Sequence, residues 1–272
     1  MQKIAECYKK INKDCFKFIK SQETSKEKFK NKEKMIKSFL IPISFWISKK
    51  VNKNKPYFVG LSGGQGTGKT TISSLLSIIL IKYFNLNVFK ISIDDFYQTR
   101  SQRIKLSKKI HPLLITRGVP GTHDIDIMLD FFRKCKSEKY KSIKLPKFDK
   151  SIDDRCKKKY WYNIKNKPDV IIFEGWCVGA RSENKITLKK SKNILERYSD
   201  KDLIWRKYVN NQLKYKYKIL YNQLNCLLYL KASNFKLLQE WRLIQEKKLK
   251  LKNKKNKIKK NKIMKKHEVL KF

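Results

Sequence analysis

The sequence predicts a three-layer α/β fold with a mainly parallel central sheet. Three observations carry that expectation: short apolar runs of strand length recur along the chain, helix-length segments separate them, and polar residues gather just after the runs. Ligands of open parallel sheets sit outside the carboxyl ends of the strands, so polar residues placed there point to a site.

Residues 1–54 are expected to form a helical segment packed on the core. Phe39, Leu40, Ile41, Ile43, Phe45, Trp46 and Ile47 supply its apolar face, which ends at the lysine and asparagine run before Pro56. Tyr57 to Ser62 is a short apolar run closing in glycines, as a buried parallel strand would be. The helix-length stretch Ile72 to Phe84 comes after a glycine-rich octet. Asn87 to Ile93 alternates Val88, Phe89, Ile91 and Ile93 as a second strand and delivers Asp94 and Asp95 to its carboxyl end. Pro168 to Phe173 is a third strand ending at Glu174-Gly175, and Asn225 to Leu230 a fourth. Residues 55–246 are thus expected to be one domain. Residues 247–272 form a lysine-rich C-terminal extension, with lysine at more than half the positions from Lys247 to Lys266.

Composition narrows the function classes. The 272 residues carry 67 Lys+Arg against 23 Asp+Glu, a formal net charge of +44, but the excess is mostly lysine and runs from end to end. A dedicated nucleic-acid site concentrates its charge and interleaves stacking aromatics, so a solvated basic surface is expected, not a nucleic-acid partner. No apolar stretch approaches the roughly 20 residues of a membrane-spanning helix. The N-terminus has no apolar signal core, and Glu6, Asp14, Glu23 and Glu27 argue against a transit peptide, so a soluble, cytoplasmic protein is expected. Six cysteines lie far apart without a CxxC pair, which suggests reduced thiols and neither a zinc site nor a disulfide framework.

The chemistry begins at Gly63-Gly64-Gln65-Gly66-Thr67-Gly68-Lys69-Thr70, which fits G-x-x-x-x-G-K-[ST] with a strand before it and a helix after it. Glycines let backbone N–H groups curl around phosphate oxygens, and the helix adds its positive N-terminal end. Gly63 to Thr71 are therefore candidate nucleotide-binding residues, with Lys69 on the outer phosphates and the Thr70 hydroxyl on Mg²⁺. ATP and Mg²⁺ are the cofactors implied. Asp94 is placed to orient or deprotonate an acceptor hydroxyl, and Glu174 is the candidate carboxylate for the metal.

Several further strings make a specific likeness. They are Ser92-Ile93-Asp94-Asp95-Phe96-Tyr97, His111-Pro112-Leu113-Leu114, and Arg117-Gly118-Val119-Pro120-Gly121-Thr122-His123-Asp124. Leu145 to Ser151 with Asp153-Asp154-Arg155 follows, then Phe173 to Gly179, Trp205 to Asn210 and Trp241 to Glu246. Together, from about Phe39 to Glu246, these resemble the D-glycerate 3-kinase family, part of the wider phosphoribulokinase, uridine kinase and pantothenate kinase group. The resemblance implies a P-loop NTPase fold with a helical lid, Asp94 as catalytic base and Glu174 as the Mg²⁺-associated glutamate. Arg117, Thr122, His123 and Asp124 would then line the acceptor pocket. An acid acceptor needs a cation for its carboxylate and partners for its hydroxyls. Arg117, Arg155 and His123 fit the first need, Asp124 and Asp149 the second, and Arg242 reads as a lid arginine screening the transferring phosphoryl group. Where the family continues with a glycine-bearing loop and a final helix, this chain has its lysine and asparagine run.

The expected function is phosphoryl transfer from MgATP to a hydroxyl of D-glycerate, giving 3-phosphoglycerate and ADP. The rival readings are a kinase of the same build acting on a nucleoside, pantothenate or a sugar phosphate, and an ATP-binding regulator whose basic tail binds nucleic acid.

Overall fold

The computed structural model describes residues 2–24, 28–52, 54–234 and 236–244; the lysine-rich extension, with Gln245 and Glu246, lies outside the described residues. Two helical stretches open the chain: α1 (Gln2–Gln22), then α2 (Lys32–Met35) running through a π-helical turn, Ile36–Leu40, into α3 (Ile41–Lys50). The strand β1 (Tyr57–Gly63) leads into α4 (Lys69–Lys82) and β2 (Val88–Ser92). After α5 (Arg100–Lys109) and α6 (Ile125–Lys136) come four short strands, β3 (Ile143–Leu145), β4 (Phe148–Asp149), β5 (Asp154–Arg155) and β6 (Tyr162–Ile164). Then follow β7 (Val170–Gly175), α7 (Lys185–Lys189), α8 (Ile194–Ser199), α9 (Ile204–Gln212), α10 (Lys218–Tyr221) and β8 (Cys226–Leu230). Residues 236–244 are helical.

Four strands pair in parallel in the order β2-β7-β1-β8. Every residue of β7 is buried, which is why its sequence is a continuous apolar run and not an alternating one. Alternate side chains nevertheless go to opposite faces of the sheet. Val59, Leu61, Val170 and Ile172 meet α1, α3 and α4 through Cys7, Ile11, Cys15, Ile41, Leu76 and Ile79. Phe58, Ile91, Ile171 and Phe173 meet α6 and α10 through Met128, Phe131, Phe132, Cys135 and Leu220. Two cores on one sheet make three layers. The register places Glu174 of β7 beside Leu61 of β1 and Ser92 of β2, so the carboxyl ends of the three strands align.

Three elements differ from the sequence expectation. The second strand stops at Ser92, because the Ser92 hydroxyl accepts the Asp94 N–H at 3.3 Å and turns the chain into a 3-10 turn, Ile93–Phe96. Asp94 and Asp95 therefore sit on that turn. The third strand runs through Gly175, which puts Glu174 inside it and not after it. Two antiparallel pairs, β3 with β6 and β4 with β5, stand apart from the parallel sheet.

Candidate active site

The glycine-rich loop begins inside β1 at Gly63 and hands over to α4 at Gly68. Gly68 has φ of 85° and nothing near where a Cβ would sit, so glycine is required there by backbone conformation and not by crowding. Gly66, at φ 83°, is required twice over. A Cβ there would lie 2.6 Å from the Cβ of Trp241, because helix 236–244 closes over the loop. Arg242, the next residue, is half-buried on the same helix.

Lys69 curls back so that its Nζ donates to the carbonyls of Gly63 (2.8 Å) and Gly64 (2.9 Å), and the hydroxyl of Thr67 donates to Gly64 (2.8 Å). Burial draws the Lys69 ammonium below its ordinary range, opposed by the carboxylates of Glu174 and Asp94. Beside it the Thr70 hydroxyl donates to Glu174 Oε1 at 3.0 Å. Burial also pushes the Glu174 carboxyl up, with Lys69 pulling the other way. Gln65 is exposed, and Thr71 is half-buried in the first turn of α4.

Asp94 faces these groups from the end of β2. Its carboxylate accepts from the Tyr97 hydroxyl (3.0 Å) and from Lys150 Nζ (2.6 Å). Burial would raise its pKa, but the Lys150 ammonium prevails and holds the carboxyl below the usual range. Asp95 turns elsewhere, accepting the Phe148 N–H (3.2 Å) and the Tyr162 hydroxyl (3.3 Å), which pins β4 and β6 against the turn.

The loop Arg117 to Asp124 is built as a set of internal ties. Thr122 is fully buried; its hydroxyl donates to Val119 O (2.7 Å) and accepts the Gly118 N–H (3.2 Å), so it shapes the loop. His123 stacks on Tyr97 with ring centroids 4.4 Å apart, and its Nδ1 meets the Tyr217 hydroxyl at 2.6 Å. That hydroxyl also accepts the Gly121 N–H at 2.9 Å, which ties the loop to Tyr217. Nε2 has no hydrogen-bond partner among the described residues, and burial pulls the His123 pKa down to about 4. Asp124 caps α6 and pairs with Arg155 at 2.9 Å, while Arg155 Nε donates to Tyr97 O at 2.7 Å. Asp149 does not pair with Arg155; it accepts from the backbone N–H (2.8 Å) and hydroxyl (2.6 Å) of Ser151 and so closes its own turn. Arg117 is held by Asp153, which also takes Arg100 and the fully buried Arg103.

The structure thus brings Lys69, Thr70, Glu174 and Asp94 to one end of the sheet, and joins His123 and Arg155 to them through Tyr97. Sequence reasoning passed over Tyr97, Tyr217 and Lys150. Tyr97 lies three residues after Asp94, one 3-10 turn away, and that spacing would have found it had the turn been foreseen. Lys150 stood inside the Leu145 to Ser151 string of the family likeness, but nothing singled it out from the other lysines of a chain with 67 Lys+Arg.

Comparison with known proteins decides the family. No protein-family model matches the chain. An uncharacterized kinase of Schizosaccharomyces pombe is 31% identical over 206 residues, 73% of either chain. The solved D-glycerate 3-kinase of Cryptococcus neoformans superposes with a TM-score of 0.66 at 28% identity, over 85% of this chain and 81% of that one. The chain belongs to the D-glycerate 3-kinase family. Chloroplastic D-glycerate 3-kinase of Arabidopsis thaliana, another relative, is 31% identical over 63% of this chain and 42% of its own length. As a P-loop member of the D-glycerate 3-kinase family, the protein is an ATP-dependent kinase acting on a small molecule. No helix among the described residues is long and apolar enough to cross a membrane.

Proposed function

We propose that the protein transfers the γ-phosphoryl group of MgATP to a hydroxyl of D-glycerate, giving 3-phosphoglycerate and ADP. The observation that supports this best is the carboxylate of Asp94, kept ionised beside the P-loop lysine and adjoining a cation-rich loop. Glycerate itself is argued from the named relatives and from the need of an acid acceptor for cations at that place.

In this reading the backbone N–H groups of Gly63 to Gly68 and the N-terminal end of α4 receive the phosphates, with Thr71 in the same turn. Lys69 exchanges its carbonyl partners for the outer phosphates. Magnesium prefers hard oxygens and takes only one or two from protein. Thr70 Oγ1 and Glu174 Oε1, 3.0 Å apart, fit that demand, and no cluster of three His, Cys, Asp or Glu competes for it among the described residues. Bound there, the ion would neutralise charge on the phosphates. Asp94 takes the proton as the acceptor oxygen bonds to the γ-phosphorus and the bond from phosphorus to the leaving ADP oxygen breaks. His123, Asp124, Arg155 and Arg117 frame the acceptor, Thr122 and Asp149 hold the turns that position them, and Arg242 closes the site from helix 236–244. Most of the rate enhancement should come from placement and fixed charge.

An ADP-release assay on the purified protein with D-glycerate, pantothenate, uridine and ribulose 5-phosphate tests the acceptor. D-glycerate is expected to stimulate release most strongly; stimulation by another acceptor and not by glycerate would overturn the assignment.

A further inference from the structure

We infer that Lys150 is the cation that takes the acceptor's carboxylate, giving up its ion pair with Asp94 to do so. The inference rests on the glycerate reading above. A hydroxyl that hands its proton to Asp94 must lie against that carboxylate. In glycerate a single carbon separates the carboxyl group from the carbon bearing the terminal hydroxyl, so the acid group falls close to Asp94 as well. The cation that serves it must adjoin the base.

Lys150 does so, its Nζ lying 2.6 Å from Asp94 Oδ2. Its backbone belongs to the turn between β4 and β5, and that hairpin is fixed on both sides of the base. Phe148 N–H bonds to Asp95, and Arg155 Nε bonds to Tyr97 O. The stem is held, while the ammonium has a single carboxylate partner among the described residues and stays reachable from water: the Lys150 side chain is 60% exposed and that of Asp94 26%. The Lys150 end of the pair is open to water, so its ammonium can move to another carboxylate placed beside the base without leaving solvent.

The other cations here are more firmly engaged. Arg117 is held on Asp153 at 29% exposure and Arg155 on Asp124 at 11%, and Lys69 serves the phosphate loop. The partner of Lys150 is the base itself, and a base whose lone pairs are taken by an ammonium is a poor proton acceptor. Transfer of Lys150 to the acceptor's acid group frees Asp94 at the moment a substrate hydroxyl arrives. A neutral acceptor would leave the base covered, so the exchange also selects for acids.

The test compares the initial-rate kinetics of the parent protein, Lys150→Met and Lys150→Arg. Lys150→Met should raise the KM for glycerate at least tenfold, leave the KM for ATP within about twofold and leave the melting temperature unchanged, and Lys150→Arg should recover most of the loss. An unchanged KM for glycerate, a loss confined to kcat, or an equal rise in both KM values overturns the inference. Failure of the parent protein to phosphorylate glycerate is a separate result, which sinks the acceptor assignment and this inference with it.

Discussion

The proposed role of Asp94 as base asks that it stay ionised at neutral pH and yet accept a proton during the reaction, and its neighbours meet the first demand by holding its carboxyl below the usual range. Asp94→Asn removes the proton acceptor while keeping size and shape. It is expected to lower kcat by about 10²–10⁴-fold with the ATP KM within a few-fold, measured by coupled ADP release. His123 yields a second expectation. In the unfolded chain its imidazole takes a proton near pH 6.5, but in the folded protein only near pH 4. Between those values the unfolded state binds more protons, so stability contributed by neutral His123 is complete above pH 7 and is lost as the pH falls through that window. The full loss is about 3 kcal/mol. Thermal melts from pH 7 to pH 4 should show it, and His123→Gln should flatten the curve. At this scale the sequence disclosed the residues whose place is fixed by the backbone on which they ride: Lys69 and Thr70 follow from the glycine loop, Glu174 from the end of a buried strand's apolar run, and Asp94 from the turn just past β2. Tyr97 was hidden because the 3-10 turn that brings its hydroxyl back to Asp94 was not foreseen, and Lys150 because its contact depends on where the β4–β5 hairpin docks.

Among the elements, helix 236–244 has the most direct bearing on nucleotide binding. It lies so close over the phosphate loop that Gly66→Ala would drive a methyl group into Trp241 and force a non-glycine residue to hold φ 83°. The ATP KM of Gly66→Ala is expected to rise at least tenfold, and an unchanged value would show that the helix yields. Helix α6 carries the second core. Phe132 is 1% exposed, with ring centroids 4.5 Å from Phe58 and 5.5 Å from Phe173. Truncation of Phe132 to alanine should cost about 3–5 kcal/mol in urea unfolding. The strands β1 and β7 could be read from the sequence because burial on both faces leaves an apolar run, while the half-buried β2 and β8 showed only as short apolar segments. By contrast β4 and β5 span two residues each, too short for any period to register, and β2 ends where a serine side chain captures the next turn. The π-helical turns Ile36–Leu40 and Leu213–Tyr217 left no mark either, since a π turn shifts register without changing residue type.

Over the whole molecule, 44 excess positive charges repel one another most when the chain is compact. Raising salt from 20 to 300 mM shortens the screening length from roughly 20 Å to under 10 Å, so the melting temperature should rise by a few degrees, about 2–4 °C for each kcal/mol relieved. A melting temperature that falls with salt would mean that the carboxylates are placed well enough to make the surface field attractive on balance. The two cores carry a further consequence through their thiols. Cys7 and Cys15 are sealed in the core on the α1 and α4 side of the sheet, and Cys135 and Cys177 in the core on the α6 side, each at most 2% exposed, with burial pushing every one of these thiols up to about 11 or 12. An alkylating reagent can reach them only when the layer above them opens, so the rate at which each pair is labelled works as a clock for its own side of the sheet. The chain thus carries built-in reporters that can tell whether its two halves breathe together or apart.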